Sequence, residues 1–256
     1  MNKIIATLLV LGTFFASFVV QAEDNPFLSE DWWKSATPQM VEQAINNGAS
    51  VKERKKYDVT PLMLAARDNQ NPQVIETLIK HGASVKERDF EDFTPLIYAA
   101  SYNENPQIIE ILIKHGASVN EKSEDNWTPL MRAALKNKNP QVIETLIKHG
   151  AGIKEKDDMG ETPLLFAASH NENPEVIETL IKHGADVRER DNDGRTPLMK
   201  AASWKPNPQV IETLIKHGAD VKAKDNKGKT VLDYAKKNSK IYGTDVYWML
   251  NDKMYE

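Results

Sequence analysis

The chain has 256 residues and not one cysteine, an absence that removes disulfide frameworks, thiolate zinc sites, cysteine nucleophiles and cysteine-linked lipid anchors together. Basic charge is in short supply as well: Lys and Arg total 33 against 37 Asp and Glu, a formal charge of −4. A balance of that size and sign gives no sequence-independent attraction to nucleic acid or anionic lipid, so neither is expected as a partner. No GxSxG, HExxH, phosphate-loop or dinucleotide-glycine pattern occurs. The expectation is therefore no catalytic residue, no metal and no cofactor. Past Ala22 no stretch is apolar and long enough to cross a bilayer. The remainder, 40% hydrophobic and 27% charged, has the make-up of a folded globular chain.

Residues 1–22 have the layout of a secretory signal peptide: one basic residue at Lys3, an uncharged apolar run from Ile4 to Val20, and short side chains up to Ala22. The competing role is an uncleaved membrane anchor, for which this run is at the short end. Cleavage after Ala22 is expected, giving an exported, soluble, monomeric product, periplasmic or secreted, that starts at Glu23 and touches no membrane.

One period organises the rest of the chain. Thr60, Thr94, Thr128, Thr162, Thr196 and Thr230 recur every 34 residues, and so do Pro38 to Pro208 and Gly48 to Gly218. Within a unit, Leu62, Ala65 and Ala66 predict a short helix with small residues on its packing face. Asn71 then caps a second helix that opens on Pro72, where the missing N–H costs nothing. Val74, Ile75, Leu78 and Ile79 form one apolar stripe, and Gly82 supplies the left-handed residue that ends it. A strand-like Val85 and a polar tip predict a β-turn or short hairpin before the next threonine. Helices of about ten residues cannot stand alone, so the units must stack into an all-α solenoid of helix-turn-helix bricks.

The strings TPLMLAA, TPLIYAA, TPLMRAA, TPLLFAA and TPLMKAA, with KHGA closing each unit, resemble the ankyrin-repeat family. The resemblance implies an N-terminal cap repeat at 23–54, five full repeats at 55–224 and a C-terminal cap repeat at 225–256. Two features depart from the family pattern. Met63, Ile97, Met131, Leu165 and Met199 stand where the family has histidine, exchanging a hydrogen bond between loops for apolar packing. The family step of about 33 residues becomes 34 here, with the extra residue in an Asn-x-Asn-Pro turn between the helices.

His81, His115, His149, His183 and His217 recur once per unit, too far apart to share a metal, and are expected as helix C-terminal residues. The carboxylates at 89–92 and 157–161 lack the spacing of a calcium loop and suit turn tips. Variation against the near-copied second helices is the informative signal. In the family such variable positions line a concave binding face, which implies a protein-interaction scaffold, its partner unidentified. The expected partner-binding residues are Tyr57, Phe90, Phe93, Tyr98, Tyr102, Trp127 and Phe166 as an aromatic stripe, joined by Arg132, His170 and Trp204. Glu91, Asp92, Glu124 and Asp125 edge the stripe. The competing role for these rings, Tyr98 and Phe166 above all, is to fill gaps between first helices. Two other functions are open: hydrolysis or metal-dependent chemistry in the groove around His170, and a purely architectural spacer whose tip rings its own chain would bury.

Overall fold

The computed structural model describes residues 25–204 and 207–256. The export signal expected over residues 1–22 lies outside them. After a short 3-10 turn at Pro26–Leu28 come α1 (Glu30–Ser35) and α2 (Pro38–Asn46). The helix pairs succeed one another in order: α3 (Pro61–Asp68) with α4 (Pro72–Lys80), α5 (Pro95–Tyr102) with α6 (Pro106–Lys114), and α7 (Pro129–Lys136) with α8 (Pro140–Lys148). The series continues with α9 (Pro163–His170) and α10 (Pro174–Lys182), then α11 (Pro197–Ser203) and α12 (Pro208–Lys216), and closes on α13 (Val231–Lys237) and α14 (Asp245–Tyr255). First helices pack on first helices and second helices on second helices along the whole chain, which makes the solenoid.

Local chemistry fixes each boundary. The hydroxyl of Thr60 accepts from the Met63 N–H at 3.4 Å, and Thr94, Thr128, Thr162 and Thr196 do the same three residues on. Met63 is fully buried, and its sulfur lies 3.3 Å from the Thr60 N–H. The replacement of the family histidine thus brings a soft acceptor along with apolar packing. Asn71 caps α4 through the Gln73 N–H, with Pro72 in the first turn. Gly82 ends the unit at φ +92°, a backbone state that a side chain would strain. Val74, Ile75 and Leu78 are wholly buried, each worth about 2 kcal/mol by removal from water. Ala65, Ala66, Ala99 and Ala100 are fully buried as well and let successive first helices approach closely.

The tips are turns. No strand forms among the described residues, and Val85, expected to be strand-like, is a buried turn residue. At the tip, positive φ falls on Asp58, Asp92 and Asn126 in the first three units and on Gly160, Gly194 and Gly228 in the last three. Neighbouring tips are joined through the backbone, as in Phe90 N–H to Tyr57 C=O at 3.0 Å.

The turn between helices is more than a lengthened connection. The buried amide of Asn103 donates to the carbonyls of Ala66 (2.9 Å) and Asn69 (2.8 Å) in the preceding unit, and its oxygen accepts from the Asn105 N–H (2.9 Å). Asn105 in turn donates to Gln70 C=O at 2.8 Å. Asn137 and Asn171 repeat this pattern, and Asn69 starts it against Trp33 and Ala36 of the N-terminal cap. The extra residue of the 34-residue step thus lies in a turn that carries an asparagine ladder, each rung tying a unit to the one before. In the fifth unit Lys205 takes the equivalent place in the sequence and lies outside the described residues.

Candidate partner-binding groove

Two register positions decide the chemistry of the variable face. The fourth residue after each threonine, in the middle of the first helix, runs Leu64, Tyr98, Arg132, Phe166, Lys200 and Tyr234. The residue nine places before it, at the start of the tip, runs Lys55, Asp89, Ser123, Asp157, Asp191 and Asp225. Where that tip residue is aspartate, one carboxylate oxygen accepts from the backbone N–H groups two and four residues on, as Asp89 does from Glu91 (2.9 Å) and Phe93 (2.8 Å). The second oxygen is then free to receive a polar group from the helix. Tyr98 donates its hydroxyl to Asp89 at 2.7 Å, Tyr234 donates to Asp225 at 2.5 Å, and the Lys200 ammonium lies 3.5 Å from Asp191. Burial, reinforced by the facing carboxylate, pushes the Tyr234 phenol up to about 12 and raises Tyr98 further still.

Arg132 has no such acceptor, because its tip residue is Ser123. Its guanidinium is stacked between two rings instead, 4.7 Å from the Phe93 centroid and 5.1 Å from that of Trp127. Its N–H groups make only long contacts, 3.4 Å to the Ser101 hydroxyl and 3.5 Å to the Tyr102 hydroxyl. Among the described residues no carboxylate lies within ion-pair distance of it, and burial is the main cause lowering its hold on its proton.

Arg132 lines an open groove of about 870 Å³ that runs from α1 to α7 and is walled by Glu30, Lys34, Lys55, Arg67, Asp68, Glu91, Phe93, Tyr98 and Tyr102 among others. The other cations there are satisfied. Lys34 pairs with Asp31 at 2.7 Å, Lys55 with Glu30 at 3.0 Å, and Arg67 with Asp68 at 2.8 Å and Glu30 at 2.7 Å. Hydrogen bonds from Lys55 and Arg67 hold the Glu30 carboxyl below its usual range. A second cavity, of about 410 Å³ under Trp32 and Met40, sits at the N-terminal end, away from the variable positions.

The expected stripe is divided by the structure. Tyr57 and Phe90 are exposed (62% and 72%) with centroids 6.5 Å apart, and Tyr102 is 49% exposed at the groove rim. Phe93, Trp127 and Tyr98 are half-buried around Arg132. Phe166 is a correction: at 4% exposure it packs with Met131 and Leu135, and Trp127 rests on it at 5.0 Å, so it supports the site from below and offers nothing to a partner. His170 and Trp204 form a separate contact, 6.2 Å apart, in the later units. His170 bonds Ser169 at 2.7 Å, but that hydroxyl is buried against the Leu165 and Phe166 carbonyls. Among the described residues no group of three or more His, Asp or Glu side chains is placed to hold a metal ion.

Sequence reasoning missed Glu30 and Arg67 as groove walls and Ser123 as the gap. The signal for Ser123 was available, since from Asp89 to Asp225 it interrupts a register that Asp157 and Asp191 otherwise hold.

A family model for ankyrin repeats matches residues 33–123, 100–191 and 166–251, nearly the whole described chain. The chain belongs to the ankyrin-repeat family. No curated protein matches it by sequence. Among solved structures it is similar to the ankyrin repeat domain of human ASB11, with a TM-score of 0.73 over 88% of this chain and 96% of that one. Sequence identity there is 22%, so the likeness speaks for the fold. Ankyrin repeats are in general protein–protein interaction scaffolds.

Proposed function

We propose that this ankyrin-repeat protein is a non-enzymatic binding module that holds a segment of a protein partner in the groove between α1 and α7, and that it acts after export. The observation that carries the reading is the exposure of Tyr102 on that groove and of Tyr57 and Phe90 on the turn tips. Large rings left in water on a rigid scaffold are the usual material of interface hot spots, and a spacer would have buried them. The turn tips and first helices that vary from unit to unit supply the individuality, while the near-copied second helices supply the frame.

Affinity capture with the wild type and with a Tyr57→Ser, Phe90→Ser, Tyr102→Ser triple variant tests the reading. The wild type is expected to recover a partner that the variant loses by about tenfold or more, whereas a Trp204→Ser control keeps it. Equal recovery by the triple variant would place the interface elsewhere. Export is tested separately by N-terminal sequencing of the mature product, with Glu23 expected as its first residue.

A further inference from the structure

Resting on the reading of the groove as a binding surface, we infer that Arg132 is its anchor for an aspartate or glutamate side chain of the partner. At the same place in the repeat Tyr98, Lys200 and Tyr234 each face an aspartate of their own tip, and only the Arg132 unit carries Ser123 there. The Phe93 and Trp127 rings both lie against the guanidinium, at 4.7 and 5.1 Å, so its position is restricted before any ligand arrives. Its hydrogen-bonding edge meets only hydroxyls, at 3.4 and 3.5 Å, in a groove where Lys34, Lys55 and Arg67 are already paired.

A planar fork of donors, stacked, part-desolvated and without an internal acceptor, matches a carboxylate and is satisfied by one. The source is a protein segment in preference to a free organic acid. The groove spans α1 to α7 with a volume of about 870 Å³, far more than a small acid bound at Arg132 would fill. Glu91, exposed on the groove wall and outside ion-pair distance, is the nearby acid that would compete.

Displayed random peptides of about 12 residues, panned on the immobilised full chain, test the proposal. Peptides dependent on the groove are expected to share an Asp or Glu, and its change to the amide should weaken binding by about tenfold or more, the usual value of a charge-assisted bond. Arg132→Gln should erase the preference for the acid over the amide. Ser123→Asp, which leaves every groove side chain in place but supplies an internal carboxylate, should erase it too, with circular dichroism confirming the fold of both. Glu91→Gln should keep or strengthen it. Peptides lost on Tyr102→Ser yet indifferent to the amide change would overturn the anchor while leaving the groove as a binding surface. No groove-dependent peptide at all would overturn both. Glutarate competing at the concentration of the peptides would overturn a protein segment as the source.

Discussion

Arg132 and Lys200 occupy the same place in the repeat two units apart, and they live in opposite circumstances. Lys200 is buried against Glu161 and Asp191, and Asp191 is shared with Arg195 at 2.8 Å. Arg132 sits between Phe93 and Trp127 with no acid within ion-pair distance among the described residues. What differs is the tip: a regular Asp-x-x-Gly turn closes over Lys200, while Ser123 and a tip at Asn126 without glycine leave Arg132 open. The later half of the face closes acids over its cation at this place in the repeat, and the earlier half leaves Arg132 without one, which is why we propose the partner's place there.

The largest break in this comparison should come from Lys200→Met. Taking the buried cation from Glu161, while Asp191 keeps Arg195, is expected to lower stability by about 3 kcal/mol, whereas Arg132→Met costs less than about 1 kcal/mol because only stacking is lost. Urea unfolding midpoints measure both, and equal losses would mean that Arg132 is held from within. Asn137→Ala removes a buried rung shared by both halves and should cost about 2 kcal/mol while leaving peptide selection unchanged. Ser123→Asp should convert the open site to the closed kind, raising stability by about 1 kcal/mol through the restored turn bonds and the new ion pair.

A separate effect concerns pH and lies in the later half. Burial pushes the Glu189 carboxyl, which accepts from Thr162, up to about 7 from an ordinary 4.5. The folded chain then holds a proton that the unfolded chain has released, so the contribution of this carboxyl is full below about pH 4.5 and is lost as pH rises through about 7. Glu189→Gln should flatten that decline, as melting temperatures across the range would show.

The fold was legible because its punctuation is covalent and local: Thr-Pro starts a first helix, Asn-Pro a second, and Gly82 with its counterparts ends it. Burial of Phe166 was legible only as the gap-filling alternative it shared with Tyr98, and nothing in its own unit decided between the two roles. Its fate depends on Met131, Leu135 and Trp127 of the unit before. The groove was half legible. Its rings stood out as departures from the repeat, but Glu30 and Arg67 meet only through contact between the N-terminal cap and the first full unit, a relation no single period displays. The ladder lay hidden for a related reason, since Asn69 and its successors look like turn formers until their amides are seen to reach across 33 to 37 residues.

That ladder also has a direction. Every side-chain amide reaches toward carbonyls nearer the amino end, and none reaches the other way among Asn69, Asn103, Asn137 and Asn171. Within the ladder, shortening the array from its carboxyl end leaves only main-chain oxygens unpaired, which water can serve, but trimming the cap strips Asn69 of both acceptors. A chain that emerges amino end first therefore offers each arriving unit a finished edge to dock on, so assembly and synthesis run the same way.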